Sequence, residues 1–394
     1  MMKKKILVLG GGHADIPIIK QAQKRGYFVI TTGNRPGDLG HQFSDKYIQA
    51  DFSNPEEMLK VAEMEEVTAL CPSANDFSFL SCAYVSKKLE IGNFDSLETA
   101  RIIHHKDLFR QFAIKNKYSV PIAVSANTIS EAHSKVSELS FPVIIKPVDL
   151  SGGKGVSVIH EISELNEAME FALSSSRAQR VVIEEFVEGT NHGFTCIIKN
   201  RKVVFYFYDN EHYYINKYLV SGASAPADIP EQTISQLINE VERLAEELCL
   251  VDGLVHVQFI LKEERAYVLE VCRRPPGDLY VELVKKATGG NYPDWILSGY
   301  LGEDFNSISS MPVTKCITRH CIMSDRPGKI TEVTIDPKIQ DKVIDSMFWW
   351  KSGENIADEK VYKAGIVFIE YDSIAEMEEL LPRLNKLIRI RVCD

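Results

Sequence analysis

The stretch YVLEVCRRPPGD, residues 267–278, places one carboxylate, one thiol and two guanidinium groups at the end of an apolar run. Because side chains alternate along a strand, Glu270 and Cys272 are expected on one face and their apolar neighbours on the other. Arg273 and Arg274 follow directly, before a Pro-Pro-Gly sequence that stops the strand. Such an end is either a solvated sheet edge or the floor of a site that holds anions and a metal ion.

This run and the one before it predict a hairpin over residues 254–271. With a three- or five-residue loop near 262–265, Gln258 lies directly opposite Glu270, while Leu269 points to the other face. Two oxygen ligands that face one point suit a hard divalent cation. An exposed polar hairpin face explains the same alternation equally well, so the pattern alone does not decide between the two.

A second informative segment is the glycine loop SGGKG, residues 151–155. Lys146 closes the apolar run before it, and another strand-like run begins at Val156. The P-loop pattern is absent, and a strand rather than a helix follows. Flexible glycines with available N–H groups beside lysines suit phosphate oxygens, which predicts a phosphate-binding loop rather than a solvent-exposed turn.

The glycines at residues 10–12 follow a strand-like run and precede a helix, which is the context of a dinucleotide-binding fingerprint. The third glycine position is Asp15, however, where close helix–strand packing requires no side chain. The next strand ends in TGNR, residues 32–35, without a carboxylate for a ribose hydroxyl. A nicotinamide dinucleotide site is therefore disfavoured, and the turn is left as a helix N-terminus that can face a substrate anion.

Length and charge bound the function further. At 394 residues the chain predicts two or three domains, and its net charge of −10 argues against nucleic acid or an anionic membrane as a partner. The apolar runs are too short for a membrane span or a signal peptide. The eight cysteines contain no C-x-x-C pair, which predicts reduced thiols in a cytoplasmic protein.

Three patterns follow one another along the chain. The first hundred residues or so alternate strand and helix patterns, as in a parallel α/β sheet. From about residue 141, paired strands with glycine-rich turns replace that alternation. The tail after residue 300 has an α+β pattern.

Taken together, these segments resemble the ATP-grasp superfamily, specifically its carboxylate–amine ligases and the branch of the carbamoyl-phosphate synthetase large subunit. The order and spacing of the motifs carry the resemblance, which covers nearly the whole chain. It implies an α/β protein with the ATP-grasp fold: an N-terminal parallel α/β (pre-ATP-grasp) domain at 1–103, an ATP-grasp domain at 104–300 and a C-terminal α+β portion at 301–394. A glycine-loop lid would occupy about 120–187.

The resemblance implies ATP and Mg²⁺ (or Mn²⁺) as cofactors and gives roles to single residues. Backbone groups of Glu185 and Val187 would hold the adenine edge, and Arg274 would steady the transferred phosphoryl group. Arg273 would either contact substrate or support the fold. The implied nucleotide-binding residues are Lys106, Lys146, Ser151, Gly152, Gly153, Lys154, Gly155, Glu184, Glu185, Phe186, Val187 and Asn191. The implied metal ligands are Gln258, Glu270 and Cys272, and the implied catalytic residues are Arg274, Lys146 and Arg273.

Two positions depart from the family's pattern. Asn191 stands where a carboxylate usually contacts the ribose, although an amide also hydrogen-bonds a hydroxyl. Cys272 stands where an asparagine usually binds the metal, and a thiol is a poor ligand for Mg²⁺. Either Glu270 binds the ion with water completing the shell, or this site handles metal differently.

The function implied by the resemblance is that of an ATP-dependent ligase. It would activate a small carboxylate as an acyl phosphate and join it to an amine such as an amino acid. The expected partners are these small molecules, with neither nucleic acid nor membrane, and a homodimer is left open. A catalytically degenerate nucleotide-binding protein is the alternative, and an NAD(P)-dependent Rossmann oxidoreductase is a third.

Overall fold

The computed structural model describes residues 3–305, 308 and 311–393. Its N-terminal region comprises β1 (Lys5–Leu9), α1 (Ile16–Lys24), β2 (Phe28–Gly33), β3 (Lys46–Gln49), α2 (Pro55–Met64), β4 (Ala69–Pro72), α3 (Asp76–Leu89) and α4 (Leu97–His104). The four strands form a parallel sheet in the order β3-β2-β1-β4. Successive residues of β1 enter two different buried clusters, as expected for a sheet covered by helices on both faces. The predicted parallel α/β region is confirmed.

After α5 (Lys106–Lys115), the segment predicted as the lid, about 120–187, forms a four-stranded sheet packed on helices. It comprises β5 (Ala123–Ala126), α6 (Ile129–Lys135), β6 (Val143–Pro147), β7 (Ser157–Ile159), α7 (Leu165–Ser175) and β8 (Val181–Glu185). The strand order is β5-β8-β6-β7, and the pairs are antiparallel. One face of β6 and β8 packs against α6 and α7, which leaves the other face to border a cavity.

An eight-stranded antiparallel sheet forms the centre of the molecule. Its first part comprises β9 (Thr190–Lys199), β10 (Lys202–His212), β11 (Gly222–Ala225), α8 (Glu231–Glu247), β12 (Gly253–Lys262), β13 (Arg265–Cys272), α9 (Tyr280–Thr288) and α10 (Tyr292–Leu301). Apolar residues of α8 pack on one face of the sheet, and those of α9 and α10 pack on the other. Glu270 and Cys272 lie on the second of these faces.

The C-terminal portion adds strands to the same sheet. It comprises β14 (Cys316–Ile322), β15 (Gly328–Ile335), α11 (Pro337–Gln340), β16 (Val343–Phe348), β17 (Asn355–Ile356), β18 (Gly365–Tyr371), α12 (Ile374–Leu380), α13 (Leu384–Leu387) and β19 (Ile388–Cys393). The order of the large sheet is β13-β12-β9-β10-β11-β14-β18-β16, and β17-β15-β19 form a separate small sheet. The central sheet is therefore continuous across residue 300. Of the helices within the described ranges, none is long and apolar enough to cross a lipid bilayer.

The hairpin of β12 and β13 has a tighter turn than the sequence suggested. Lys262 pairs with Arg265, so residues 263–264 alone make the turn. The expected three- or five-residue loop is wrong. Gln258 nevertheless faces Glu270, as predicted.

A β-bulge reconciles the short turn with this pairing. Phe259 faces Val268, whereas Gln258 faces Glu270, so Leu269 is the extra residue on β13. Without the bulge, Gln258 would face Leu269. The extra residue also turns Leu269 toward the polar face, where it borders a cavity instead of pointing away as expected.

Candidate functional site

Three neighbouring cavities meet around the glycine loop, and Ser151 lines all of them. The lid cavity, about 670 Å³, lies between the lid sheet and the β12–β13 hairpin. The floor cavity, about 220 Å³, lies over the polar face of the central sheet. The N-terminal cavity, about 510 Å³, lies at the carboxyl ends of the parallel strands, where ligands bind in open α/β sheets.

Most of the predicted residues line the lid cavity. They are Lys106, Lys146, Ser151, Gly152, Gly153, Glu184, Glu185, Phe186, Val187, Asn191, Gln258 and Glu270. Lys154 lines the N-terminal cavity instead, and Cys272 and Arg274 line the floor cavity. Gly155 and Arg273 border none of the three.

A buried ion cluster fixes Lys146 at the wall of the lid cavity. Lys146 Nζ lies 2.6 Å from one carboxylate oxygen of Glu184, and Arg110 Nε lies 2.7 Å from the other. Burial alone would raise the pKa of Glu184, which is 1% exposed, but Arg110 and Lys146 lower it to about 2. Burial lowers the pKa of Lys146, and Glu184 opposes that effect. The Glu184 side chain thus holds a lysine rather than facing a ligand.

Arg110 was missed by the sequence analysis, although a signal was present. It stands four residues after Lys106 on α5, and residues at that spacing share one face of a helix. Besides Glu184, Arg110 donates to the main-chain carbonyl of Leu269 at 2.8 Å. The bulged residue is thereby tied to the lysine cluster.

Lys106 connects the start of the glycine loop to the hairpin. Its Nζ donates to the Leu150 carbonyl at 2.8 Å and to Glu270 Oε1 at 3.1 Å. Burial lowers the pKa of Lys106, but Glu270 and Asp76 outweigh it, so the pKa is raised. A charged ammonium group therefore lies beside the predicted metal carboxylate.

The glycine loop has a backbone that other residues rarely adopt. Gly152 and Gly153 both have φ of +72°, and Gly155 has φ of +69°. A Cβ atom on Gly153 would lie 2.6 Å from Tyr218 Cβ and 2.8 Å from the Tyr218 carbonyl oxygen. Both the φ values and the close approach to Tyr218 explain why glycine is needed here.

The residues expected to hold the adenine edge lie at the end of β8 and directly after it. Glu185 N–H donates to the Ile122 carbonyl at 2.9 Å, and Phe186 N–H donates to the Pro142 carbonyl at 3.0 Å. Within the described part of the chain, Val187 N–H makes no hydrogen bond. Of these three N–H groups, the Val187 group is therefore the donor left for a ligand in the lid cavity.

The predicted metal residues lie at the boundary of the lid and floor cavities. Gln258 Nε2 donates to Glu211 Oε1 at 2.7 Å, and Tyr213 OH donates to Glu211 Oε2 at 2.7 Å. Glu211 was not predicted, and burial raises its pKa. With its amide N–H₂ turned toward Glu211, Gln258 has its amide oxygen left for a cation, beside the carboxylate of Glu270.

Cys272 fits a Mg²⁺ site poorly. Burial raises the pKa of its thiol well above the ordinary range, so it stays a neutral thiol. Within the described ranges, no three His, Cys, Asp or Glu side chains are grouped closely enough to hold a metal ion. The oxygen donors of Glu270 and Gln258 suit Mg²⁺ or Mn²⁺, and Cys272 does not add to them.

The two consecutive arginines point in different directions. Arg274 lines the floor cavity, and its Nε donates to Asp76 at 2.9 Å. Arg273, 3% exposed, donates to Asp95 at 2.8 Å and to two main-chain carbonyls, those of Val251 and Leu254. The structure thus brings Arg274 to the site but not Arg273, which corresponds to the fold-supporting alternative.

Asp15 occupies the helix N-terminus beside the N-terminal cavity. Its carboxylate accepts hydrogen bonds from Gly12 N–H at 2.8 Å and from Ala74 N–H at 3.0 Å. Burial raises the pKa of Asp15 to about 6. The Asp15 carboxylate therefore already accepts a hydrogen bond from an N–H group at the helix N-terminus, where the pyrophosphate lies in dinucleotide-binding folds.

Residues 106–278 match the ATP-grasp domain family. The chain is also 25% identical over 313 residues to the carbamoyl phosphate synthase large chain, C-terminal section, of Aquifex aeolicus (strain VF5). That match covers 74% of this chain and 56% of the relative, so the chain spans little more than half of the relative's length.

Solved structures share the fold over nearly the entire chain. An L-amino acid ligase from Bacillus licheniformis superimposes with a TM-score of 0.81 at 18% identity, covering 100% of both chains. The biotin carboxylase domain of the 2-oxoglutarate carboxylase from Hydrogenobacter thermophilus, solved with MgADP and bicarbonate, gives 0.77 at 15% identity, covering 99% of this chain and 91% of that one. At these identities the likeness shows the fold, and the family match adds the domain. Within this shared fold, residues 106–278 are the part of the chain that matches the ATP-grasp domain family.

Proposed function

We propose that the chain is an ATP-dependent ligase that activates a small-molecule carboxylate as an acyl phosphate and joins it to an amine. One observation carries the proposal. Lys106, Lys146 and the glycine loop border the same cavity as the Gln258–Glu270 pair. Cations and N–H donors for phosphate thus lie beside oxygen donors for a divalent cation.

ATP would bind in the lid cavity. Val187 N–H would contact the adenine edge, Asn191 would contact the ribose, and the loop at 151–155 would close over the phosphates. A bound Mg²⁺ or Mn²⁺ at Glu270 and Gln258 would supply charge neutralisation between the phosphate groups. Lys106 would then exchange part of its contact with Glu270 for phosphate oxygens.

The proposed reaction has two steps. A substrate carboxylate oxygen attacks the γ-phosphorus of ATP, and ADP leaves with the electron pair of the broken P–O bond. The amine then attacks the acyl carbon, the C–O bond to phosphate breaks, and the nitrogen loses a proton as phosphate departs. Lys106, Lys146 and Arg274 would position the reacting groups and stabilise charge, and the closed loop would exclude water.

The test is release of ADP and phosphate in the presence of pairs of small carboxylates and amino acids. The proposal expects ADP release that requires both substrates and equals the ligated product in amount. Tight ATP binding without turnover for any pair would contradict it.

A second candidate is a nucleotide-binding protein without ligase activity. The neutral thiol of Cys272 at the metal site is the observation that favours it. Substrate-dependent ATP turnover by the unaltered protein rejects this reading. For the NAD(P)-dependent reading, the carboxylate of Asp15 at the helix N-terminus is unfavourable, and a fluorescence titration with NADH tests it.

A further inference from the structure

The floor cavity ends at Arg319, a residue of β14 in the C-terminal portion. Arg319 is 2% exposed and lines this cavity together with Gln258 and Glu270. Ala223 of β11 pairs with Glu211 on one side and with Arg319 on the other. The three residues therefore share one face of the sheet, and the small alanine leaves space between Glu211 and Arg319.

The guanidinium group of Arg319 is only partly used within the protein. Its Nη1 donates to the Asp278 carbonyl at 3.1 Å and lies 3.3 Å from Cys321 Sγ. Its Nε and Nη2 make no hydrogen bond to a described residue, and Nε is buried. Because Nε and Nη2 direct N–H bonds along the same edge of the planar guanidinium group, they form a pair that binds both oxygens of one carboxylate. Buried donors without a partner are unfavourable until a ligand satisfies them.

The carboxylates nearest to Arg319 are already shared with other groups. Glu211, on the same face, accepts hydrogen bonds from Gln258 and Tyr213. Lys363 Nζ lies 2.5 Å from Asp278 Oδ2, and Arg319 Nη1 lies 3.7 Å from the same oxygen. Two largely buried cations thus share one carboxylate, which itself also lies 3.4 Å from His13 Nε2. Burial raises the pKa of the nearby Asp209 to about 7, so this carboxyl group carries only part of a negative charge near neutrality. Buried cations are stable when each has an anionic partner.

We propose that Arg319 binds the carboxylate of the amine substrate, which makes that substrate a small α-amino acid. The inference rests on the proposed ligase function, because it places the phosphoryl-transfer end of the floor cavity at Glu270 and Arg274. Arg319 lies at the other end, so a bound amino acid would point its amine toward the acyl phosphate. A cavity of about 220 Å³ is smaller than those that hold drug-sized ligands and suits one amino acid.

Direct binding tests this proposal without relying on turnover. Glycine, L-alanine and L-leucine are titrated by calorimetry into the protein loaded with ADP and Mg²⁺, in parallel with their carboxamides. At least one of the acids is expected to bind about tenfold or more tightly than its amide, because the amide lacks the charge that Arg319 pairs. Arg319→Gln is expected to abolish this preference, and Arg319→Lys to keep part of it, since lysine retains the charge without the paired donors.

The ADP affinity of the unaltered protein is measured first, because this measurement tests the proposed nucleotide site independently of the Arg319 inference. Arg391→Gln is the matched control, because Arg391 is an exposed residue of β19 in the same C-terminal portion. The inference is overturned if acids and amides bind equally, if none of the six compounds binds, or if Arg319→Gln leaves the preference unchanged. If Arg319→Gln does not fold, Arg319→Lys provides the test instead. A preference for acids over amides as large as that of the unaltered protein would then overturn the inference. Failure of the unaltered protein to bind ADP would instead contradict the proposed nucleotide site.

Discussion

Gln258 faces Glu270 across the β12–β13 hairpin because one extra residue, Leu269, bulges out of β13. The main-chain carbonyl of that bulge accepts a hydrogen bond from Arg110, which also binds Glu184. The irregularity in the hairpin and the buried ion cluster are therefore one connected arrangement. Five predictions test this arrangement and the residues around it.

Glu270→Gln should lower turnover by about 10²-fold at saturating Mg²⁺, because it removes the negative charge shared by Lys106 and the proposed cation. The measurement is kcat, together with Mn²⁺ binding followed by electron paramagnetic resonance. Glu263→Gln is the control, since it makes the same change in the exposed turn of the same hairpin. Equal Mn²⁺ affinity in the two variants would remove Glu270 from the metal site.

Cys272→Asn should lower the Mg²⁺ concentration needed for half-maximal turnover by about tenfold. Asparagine has nearly the volume of cysteine and offers an oxygen where burial now keeps a neutral thiol. The Mg²⁺ dependence of the variant and of the unaltered protein is compared at fixed ATP. An unchanged dependence would mean that this position does not reach the ion.

Glu184→Gln should lower the free energy of unfolding by about 3–5 kcal/mol, because it leaves Lys146 and Arg110 buried without their shared anion. Urea unfolding measures the change. Glu185→Gln is the control, because Glu185 is half-buried at the next position of β8. This variant should lower the free energy of unfolding much less.

The stability that Glu184 contributes through Lys146 and Arg110 has a defined pH dependence. The pKa of Glu184 in the folded chain, about 2, lies below its ordinary value of 4.5. Its stabilisation is therefore fully present above pH 4.5 and is lost as the pH falls toward 2. A stability difference between Glu184→Gln and the unaltered protein that stays constant over this range would contradict the ion cluster.

Asp15→Asn should show the opposite pH dependence. Burial raises the pKa of Asp15 from 3.8 to about 6, so the folded chain favours the neutral acid. The stability that the neutral Asp15 side chain contributes is fully present below pH 3.8 and is lost as the pH rises through 6. Asparagine does not titrate, so the variant should gain stability relative to the unaltered protein across this range, by at most about 3 kcal/mol. Parallel melting temperatures of the two proteins between pH 4 and 7 would show that Asp15 is already ionised in the fold.

Local patterns in the sequence predicted the parallel N-terminal sheet and the facing of Gln258 and Glu270, because strand alternation depends on near neighbours. The same alternation also separates Arg273 from Arg274, a signal that was present but not used. The bulge at Leu269 was not predictable, since it follows from the pairing of two strands rather than from either one.

Residues brought together from distant strands were also missed. Glu211 and Arg319 reach the floor cavity from β10 and β14, with Ala223 between them. Tertiary packing determines that β14 pairs with β11. The spacing of these residues along the sequence therefore does not predict that they lie close together. The α+β pattern of the tail therefore gave no indication that its strands complete the central sheet.

The continuity of that sheet limits how the chain can be divided. Every residue of β11 pairs with β14, so removing the segment after residue 300 would expose an unpaired edge of backbone N–H and C=O groups along the floor cavity. A shortened chain of that kind is expected to aggregate rather than to work as an independent phosphate-binding unit. Changes confined to the side chains of β14 leave the backbone pairing intact, so the proposed preference for an amino acid can diverge there while the proposed nucleotide site stays the same.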